Sequence, residues 1–280
     1  MTTIAVIGCG AMGAAVAHTL SENGVRVLSP LHGRSATSQA RAIEAGMVDA
    51  DLGAICAEAS LVLSIVPPAE AKNAAVGFAA ALASSPDHKP AYVDCNAVGV
   101  PAMRWIRDEI ELHGSRVIDC AIIGFPPKPG TPGPSFHFSG PHAQLAHILG
   151  EHGLRVAFLD GPVGAASAFK LAYAGITKGL VAVASTMILA AQREGAGPAL
   201  LAELAASQPA LLDRFRTTLP DMFSKAARWE DEMLSIAKFV GTDRPEAGIY
   251  RGAAGLYRRL GADHATAEAE TGGIANFLAK

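Results

Sequence analysis

A glycine-rich segment near the start of the chain limits the possible folds more than any other feature. It reads GCGAMG at residues 8–13, after the apolar stretch IAVI and before the alanine-rich stretch AAVAHTLSENG. A GxGxxG pattern between a strand and a helix, at the start of a βαβ unit, is typical of dinucleotide-binding domains. The pattern therefore predicts an α/β fold that begins with a Rossmann unit.

Each glycine of this segment has a separate physical role. Gly8 permits a tight turn, Gly10 lets a pyrophosphate approach the backbone, and Gly13 lets the helix pack closely on the strand. Ala11 and Met12 begin the predicted helix, where backbone N–H groups can bind an anion. All five positions are predicted to contact a dinucleotide.

The end of the second predicted strand indicates which dinucleotide is bound. NAD sites usually carry an acid about 20 residues after the glycines, where it binds the ribose 2′-hydroxyl. This chain has no acid between Glu22 and Glu44, and carries Arg34 and Ser35 instead. Arginine and serine suit a 2′-phosphate, so NADP(H) is the predicted cofactor. The alternative is an exposed loop arginine without a ligand.

The α/β pattern continues through the apolar stretches LVLSIVPP, AYVDCN and RVIDCA. Ligands of open α/β sheets bind beyond the carboxyl ends of such strands, so Val66 and Pro67 are predicted to face the cofactor. Asn96 is a candidate for orienting the nicotinamide amide, and equally a turn residue. Asp94 and Asp119 are interpreted as structural hydrogen-bond acceptors.

A long helix is predicted between Pro162 and Gly197. The stretch from about Ala165 to Arg193 lacks proline, and a helix of that length would extend about 40 Å. Between Gly161 and Gln192 its only charged side chains are Lys170 and Lys178, which lie on nearly one face. One interpretation is that the helix joins two domains and directs Lys170 into a cleft. The other is that the lysines mark a solvent-exposed stripe.

Composition excludes several classes of protein. The formal charge of −3 offers no basic surface for nucleic acid. The uncharged run after Lys178 ends at Gln192 and is too short to predict a membrane span. The N-terminus shows no signal peptide, and four well-separated cysteines suggest reduced thiols, so a cytoplasmic protein is expected. No metal site is predicted, because His142, His147 and His152 share no helix face.

Three segments in this order resemble the β-hydroxyacid dehydrogenase family, which includes 3-hydroxyisobutyrate, tartronate-semialdehyde and 6-phosphogluconate dehydrogenases. They are IAVIGCGAMG, DCAIIGF and GPVGAASAFK, and RWEDEMLSIA suggests a branch with a short C-terminal domain. The resemblance covers roughly residues 1–190. It implies an NADP-binding Rossmann domain at 1–162 and an all-α substrate and dimerisation domain at 163–280, joined by the long helix. It also implies a homodimer that pairs through the C-terminal helices.

The resemblance implies that Lys170 is the catalytic lysine, which exchanges a proton with the substrate as hydride moves. A lysine partly removed from water has a lowered pKa and can act in both directions. The family asparagine four residues later is Ala174 here. Nearby side chains are candidates to replace it at the substrate, namely Tyr173, Thr177 and Lys178.

A second departure concerns the part of the family pattern that receives a substrate carboxylate. The family sequence Ser-Gly-Gly is replaced by Ile123, Gly124 and Phe125, which removes a hydroxyl and adds apolar bulk. Lys128, in the proline-rich loop that follows, is a candidate partner for a substrate anion or simply an exposed lysine.

These observations and the resemblance predict an NADPH-dependent oxidoreductase, similar to the β-hydroxyacid dehydrogenases, that transfers hydride between nicotinamide and a hydroxyl or carbonyl compound with an apolar substituent. Imine reduction is a second possibility, because imine reductases share the architecture but usually carry Asp or Tyr at the position of Lys170. The third possibility is a protein that binds NADP without catalysis, as a sensor.

Overall fold

The computed structural model describes residues 1–85, 88–127 and 133–279. The chain forms two compact units, residues 1–170 and 171–280. The predicted domain boundary after residue 162 precedes the long helix, whereas the division between the units falls inside it, after Lys170.

The first unit is an α/β layer structure built on one sheet. Its strands are β1 Thr3–Ile7, β2 Arg26–Ser29, β3 Met47–Asp49, β4 Leu61–Ser64, β5 Ala91–Asp94, β6 Val117–Ile123, β7 Ser135–Ser139 and β8 Arg155–Phe158. The strand order is β3-β2-β1-β4-β5-β6-β7-β8, and every pairing is parallel except β6 with β7. The first six strands have the Rossmann order 3-2-1-4-5-6, which confirms the predicted fold class.

Helices follow the strands of this sheet, as the alternating sequence pattern predicts. They are α1 Ala11–Glu22, α2 Ala36–Glu44, α3 Leu52–Glu58, α4 Ala71–Ala83, α5 Val100–Glu111 and α6 His147–Glu151. The strands β4 and β5 are buried at every residue, because helices cover both faces of the sheet. Two apolar clusters on opposite faces include Val6 and Leu63 in one and Ala5 and Val62 in the other.

The long helix α7 spans Ala165–Arg193, with the ends that the sequence predicts. It is long and apolar enough to cross a membrane, and half of its most apolar window is buried in the protein. An apolar core helix has the same length and composition, so this property is weak support for a membrane span.

The second unit contains helices and no strand over its described residues, 171–279. After the distal part of α7 it contains α8 Gly197–Ser207, α9 Pro209–Phe223, α10 Ala226–Val240, α11 Ala247–His264 and α12 Ala269–Leu278. Its core includes Leu219, Met233, Tyr257 and Ile274. Asp263 accepts hydrogen bonds from the first backbone N–H groups of α12 and so fixes the start of that helix. The predicted all-α C-terminal region is confirmed.

Candidate functional site

The glycine-rich loop between β1 and α1 has the geometry of a dinucleotide cradle. Gly8 has φ +118°, and a Cβ there would lie 2.2 Å from the Ile65 carbonyl oxygen. A Cβ on Gly13 would lie 2.0 Å from the Gly8 carbonyl oxygen. Both positions therefore require glycine for conformation or packing.

Gly10 differs from its two neighbours. It has ordinary extended backbone angles at the N-cap of α1, and a Cβ would meet no atom within 4 Å. Packing within the chain therefore does not explain this glycine. Open space in front of the helix start, beside exposed Ala11 and partly buried Met12, fits a bound pyrophosphate. The residues present thus fit a dinucleotide.

A cavity of about 360 Å³ adjoins the carboxyl ends of β1, β2 and β4. Its lining includes three predicted cofactor residues, Arg34, Val66 and Pro67. Ser35 is the N-cap of α2, and its hydroxyl accepts a hydrogen bond from the Ser38 amide at 3.3 Å. The structure therefore places Ser35 next to Arg34 at the start of α2, in the exposed loop after β2.

Asn96 is buried, and its side chain is occupied within the protein. Its Oδ1 accepts from the Val66 amide at 2.7 Å, and its Nδ2 donates to Ser64 Oγ at 3.0 Å and Asp94 Oδ2 at 2.9 Å. Both amide hydrogens are thus used. These bonds favour the turn role over direct contact with nicotinamide, and they make Asn96 a support for the cavity residue Val66.

Asp119 holds the first turn of α7. Its carboxylate accepts from the Gly164 and Ser167 amides at 2.9 Å, from Ser167 Oγ at 2.7 Å and from Ser139 Oγ at 3.2 Å. Ser139 Oγ in turn accepts from the Ala166 amide. The predicted role of Asp119 as a structural acceptor is confirmed. One consequence is that Lys170, one turn after Ser167, has a fixed position.

Asp94 lies opposite Asp119 in the parallel pairing of β5 with β6. Burial raises the pKa of Asp94 to about 7, while hydrogen bonds from Asn96 and the charge of Lys170 act in the opposite direction. Burial also raises the pKa of Asp119. Lys170 is half-buried, and its charge also acts on the Cys120 thiol. Lys170 therefore lies near the carboxyl end of β5 and the middle of β6.

The three predicted substrate residues at the end of β6 form a sharp turn with Gly124 at its centre. Ile123 is the last residue of β6 and is partly buried, Gly124 has φ +121°, and Phe125 is 70% exposed. The turn places an aromatic side chain at the surface directly after the strand. Lys128 lies outside the described residues.

The remaining predicted substrate residues belong to the helical unit. Tyr173 is half-exposed, and Thr177 Oγ1 donates to the Tyr173 carbonyl oxygen at 2.9 Å. Lys178 forms an ion pair with Glu232 of α10, and its Nζ lies 5.0 Å from the centre of the Trp229 ring. The Lys178 charge is therefore balanced within this unit, which argues against its predicted role as a substrate contact.

Sequence reasoning missed Arg41, Glu70 and Asn73. Arg41 Nη1 donates to the Cys9 carbonyl oxygen of the glycine-rich loop at 3.2 Å, and the other two line the cavity. The sequence did contain a signal for Arg41. No acid occurs between Glu22 and Glu44, so neither Arg34 nor Arg41 has an acidic residue within this segment to pair with. Within the described residues, no group of three potential metal ligands comes together.

Family comparisons agree with this geometry. Residues 3–163 match the family model described as the NAD binding domain of 6-phosphogluconate dehydrogenase. The chain belongs to this family. It is therefore a β-hydroxyacid dehydrogenase-like oxidoreductase that depends on NAD or NADP. Residues 191–260 match a second model, described as a domain of unknown function. No curated protein sequence matches the chain.

Solved structures share the fold over nearly the whole chain. A conserved hypothetical protein from Sinorhizobium meliloti is 24% identical, with TM-score 0.81, and the match covers 100% of this chain and 96% of that one. The 3-hydroxyisobutyrate dehydrogenase of Mycobacterium tuberculosis is 19% identical, with TM-score 0.75 and coverage of 100% and 98%. An imine reductase from Myxococcus stipitatus, solved with NAD⁺, is 17% identical, with TM-score 0.59 and coverage of 99% and 100%.

Proposed function

We propose that this protein is an NADPH-dependent oxidoreductase that interconverts a hydroxyl and a carbonyl group on a small compound with an apolar substituent. The observation that carries the proposal is the half-buried Lys170, which follows the first turn of α7 and lies near the end of β5 and the middle of β6. Such a lysine can exchange a proton with a substrate, in a chain whose glycine-rich loop fits a dinucleotide.

The bound dinucleotide would supply or accept the hydride, and Lys170 would donate or accept the proton. In oxidation, the neutral Lys170 amine accepts the hydroxyl proton, and in reduction its ammonium returns that proton to the oxygen. Buried Asp94 adds to this arrangement. Since the pKa of Asp94 is raised to about 7, its charge changes near neutral pH, and its ionised form favours protonated Lys170.

The preference for NADP(H) is supported by Arg34 in the cavity lining. Its guanidinium can donate two hydrogen bonds to a phosphate, and it forms no ion pair among the described residues, since the nearby Asp49 accepts a hydrogen bond from the Leu31 amide instead. A hydrogen bond to a charged group contributes about 1.5–3 kcal/mol. We therefore expect Arg34→Ala to weaken NADPH binding by about 10-fold to 150-fold and to leave NADH binding nearly unchanged.

Fluorescence titration of both cofactors into the wild-type protein and Arg34→Ala tests this preference. Equal affinity of the wild-type protein for NADPH and NADH would contradict it. The variant should fold normally, because Arg34 is exposed.

The proposed apolar substituent rests on Ile123 and Phe125 at the end of β6. An apolar wall does not compensate a carboxylate for lost hydration, whereas an apolar group gains about 25 cal/mol per Å² buried against it. We expect carbonyl compounds with an aromatic or branched substituent to be better substrates than tartronate semialdehyde or methylmalonate semialdehyde. Steady-state rates of NADPH oxidation over such a panel give the ranking.

The double variant Ile123→Ser, Phe125→Gly is the companion experiment for the substrate ranking. It restores the small and polar pattern of the related dehydrogenases, so it should shift preference toward the small acids. An unchanged ranking would show that these two side chains do not face the substrate.

The same rate measurements separate the other candidate functions. Turnover of cyclic imines without turnover of carbonyl compounds would favour an imine reductase, the activity given for the Myxococcus stipitatus neighbour. Tight NADPH binding without turnover of either class would favour a sensor. Lys170 supports the carbonyl assignment, since it supplies a group that can exchange a proton with an oxygen atom.

We also propose a cytoplasmic homodimer that pairs through the helical unit. The distal part of α7 exposes an apolar stripe at helical spacing, formed by Tyr173, Ile176, Val183 and Met187. A second copy of the chain is the simplest cover for such a stripe. Light scattering at micromolar concentration should give about twice the chain mass of 28.8 kDa. A monomeric mass would contradict the pairing.

A further inference from the structure

Arg41, on α2, contacts the glycine-rich loop, although the sequence did not predict it as a cofactor residue. Its Nη1 donates to the Cys9 carbonyl oxygen at 3.2 Å. Cys9 is buried and stands between Gly8 and Gly10, whereas Arg41 is largely exposed. A guanidinium group with five N–H donors therefore lies beside the loop where a dinucleotide would bind, and one of its nitrogens donates to that loop.

The arginines around β2 and α2 differ in whether they form ion pairs. No acid occurs between Glu22 and Glu44. Arg26, at the start of β2, is paired with Glu58. Over the described ranges 1–85, 88–127 and 133–279, neither Arg34 nor Arg41 takes part in an ion pair. The nearby carboxylate of Asp49, opposite Ser29 in the sheet, accepts a hydrogen bond from the Leu31 amide and is not paired with either arginine.

Two serine hydroxyl groups lie at the start of α2, between Arg34 in the preceding loop and Arg41 on the helix. Ser38 lies three residues before Arg41 on α2, which is the spacing of neighbours on one helix face, and Arg34 lies in the loop directly before this helix. The hydroxyls of Ser38 and Ser35 are 3.1 Å apart. The guanidinium groups of the two arginines and the Ser38 hydroxyl form a donor set that suits a phosphate group.

The charge of the ligand decides how many arginines are needed. A phosphate monoester carries about −1.5 to −2 at neutral pH, so one arginine leaves much of its charge unbalanced and two neutralise it. In a dinucleotide bound to a Rossmann fold, the ribose 2′-position is the group that meets the end of the second strand.

We propose that Arg41 is a second arginine for the ribose 2′-phosphate of NADP(H), acting together with Arg34. The proposal rests on the proposed cofactor preference and deepens it. It assigns to α2 a part in discriminating NADP(H) from NAD(H), in addition to bracing the glycine-rich loop through Cys9.

The decisive variant is Arg41→Gln, which removes the charge and keeps an amide donor for the Cys9 carbonyl oxygen. We expect about tenfold or greater weakening of NADPH binding, with NADH affinity within about twofold of the wild-type value. The affinity for adenosine 2′,5′-bisphosphate should fall by a similar factor, and the affinity for adenosine 5′-monophosphate should not change. This pair of compounds tests the contact with the 2′-phosphate in the absence of nicotinamide. Arg26→Gln is the matched control and should leave all four affinities unchanged.

Binding of each compound is measured by calorimetry on the full chain. An equal loss for NADPH and NADH in Arg41→Gln would overturn the proposal, because it would show that Arg41 only braces the loop. No loss for either cofactor would overturn it as well. If the wild-type protein prefers NADH, the proposed cofactor preference itself fails, and Arg41 has no 2′-phosphate to bind.

Discussion

Lys170→Met should lower turnover by about 100-fold or more and leave NADPH affinity nearly unchanged. Methionine keeps the length and apolar character of the lysine stem and removes only the ammonium group. General acid–base catalysis contributes about 10²–10⁴-fold, so loss of the proton donor alone accounts for a fall of this size. Single-turnover and steady-state rates of NADPH oxidation, together with a cofactor titration, measure the two quantities separately.

Lys178→Met is the informative comparison, since it makes the same substitution on the same helix eight residues later. Lys178 is paired with Glu232, so its loss should affect the stability of the helical unit more than turnover. If Lys170→Met keeps most of its turnover while Lys178→Met loses it, the proton-transfer role belongs to Lys178.

The order of elements could be predicted because each carries a local signal. The glycine-rich loop, the alternation of apolar strands with helices, and the proline-free interior of α7 are all properties of short windows. The same holds for Gly8, Gly10 and Gly13, whose spacing alone defines their separate roles.

The side-chain partners could not be predicted, because they join residues that are distant in sequence. Asn96 bonds to Val66 across 30 residues, Lys178 pairs with Glu232 across 54, and Arg41 reaches Cys9 across 32. Composition and periodicity carry no information on such pairs. Asn96 illustrates the consequence, since the sequence left its two roles open and only its hydrogen bonds favour one.

The raised pKa values of two buried carboxyl groups also could not be predicted from any short segment of the sequence. Asp94 and Asp119 each follow a run of apolar residues, but the raised pKa values depend on their complete enclosure next to one another. Two strands that are adjacent in the sheet bring these carboxyl groups together, because the register of β5 with β6 places Asp94 opposite Asp119.

Gly10→Ala should bind NADPH at least about tenfold more weakly and yet remain folded. The backbone of Gly10 suits alanine, and a Cβ there meets no atom, so the cost to stability should stay below about 1 kcal/mol. The methyl group would occupy the space in front of α1. A pyrophosphate displaced from the helix start would lose charge-assisted hydrogen bonds, which contribute about 1.5–3 kcal/mol each.

Gly13→Ala provides the contrast, since it changes the same loop by the same methyl group. Its Cβ would lie 2.0 Å from the Gly8 carbonyl oxygen, so α1 must move away from the strand end, and overpacking of this kind costs about 1–3 kcal/mol. Urea denaturation should therefore separate the two variants in stability, while NADPH titration shows weaker binding in both. Wild-type affinity in Gly10→Ala would show that no pyrophosphate lies over Gly10, and wild-type stability in Gly13→Ala would show that the loop can relax around the methyl group.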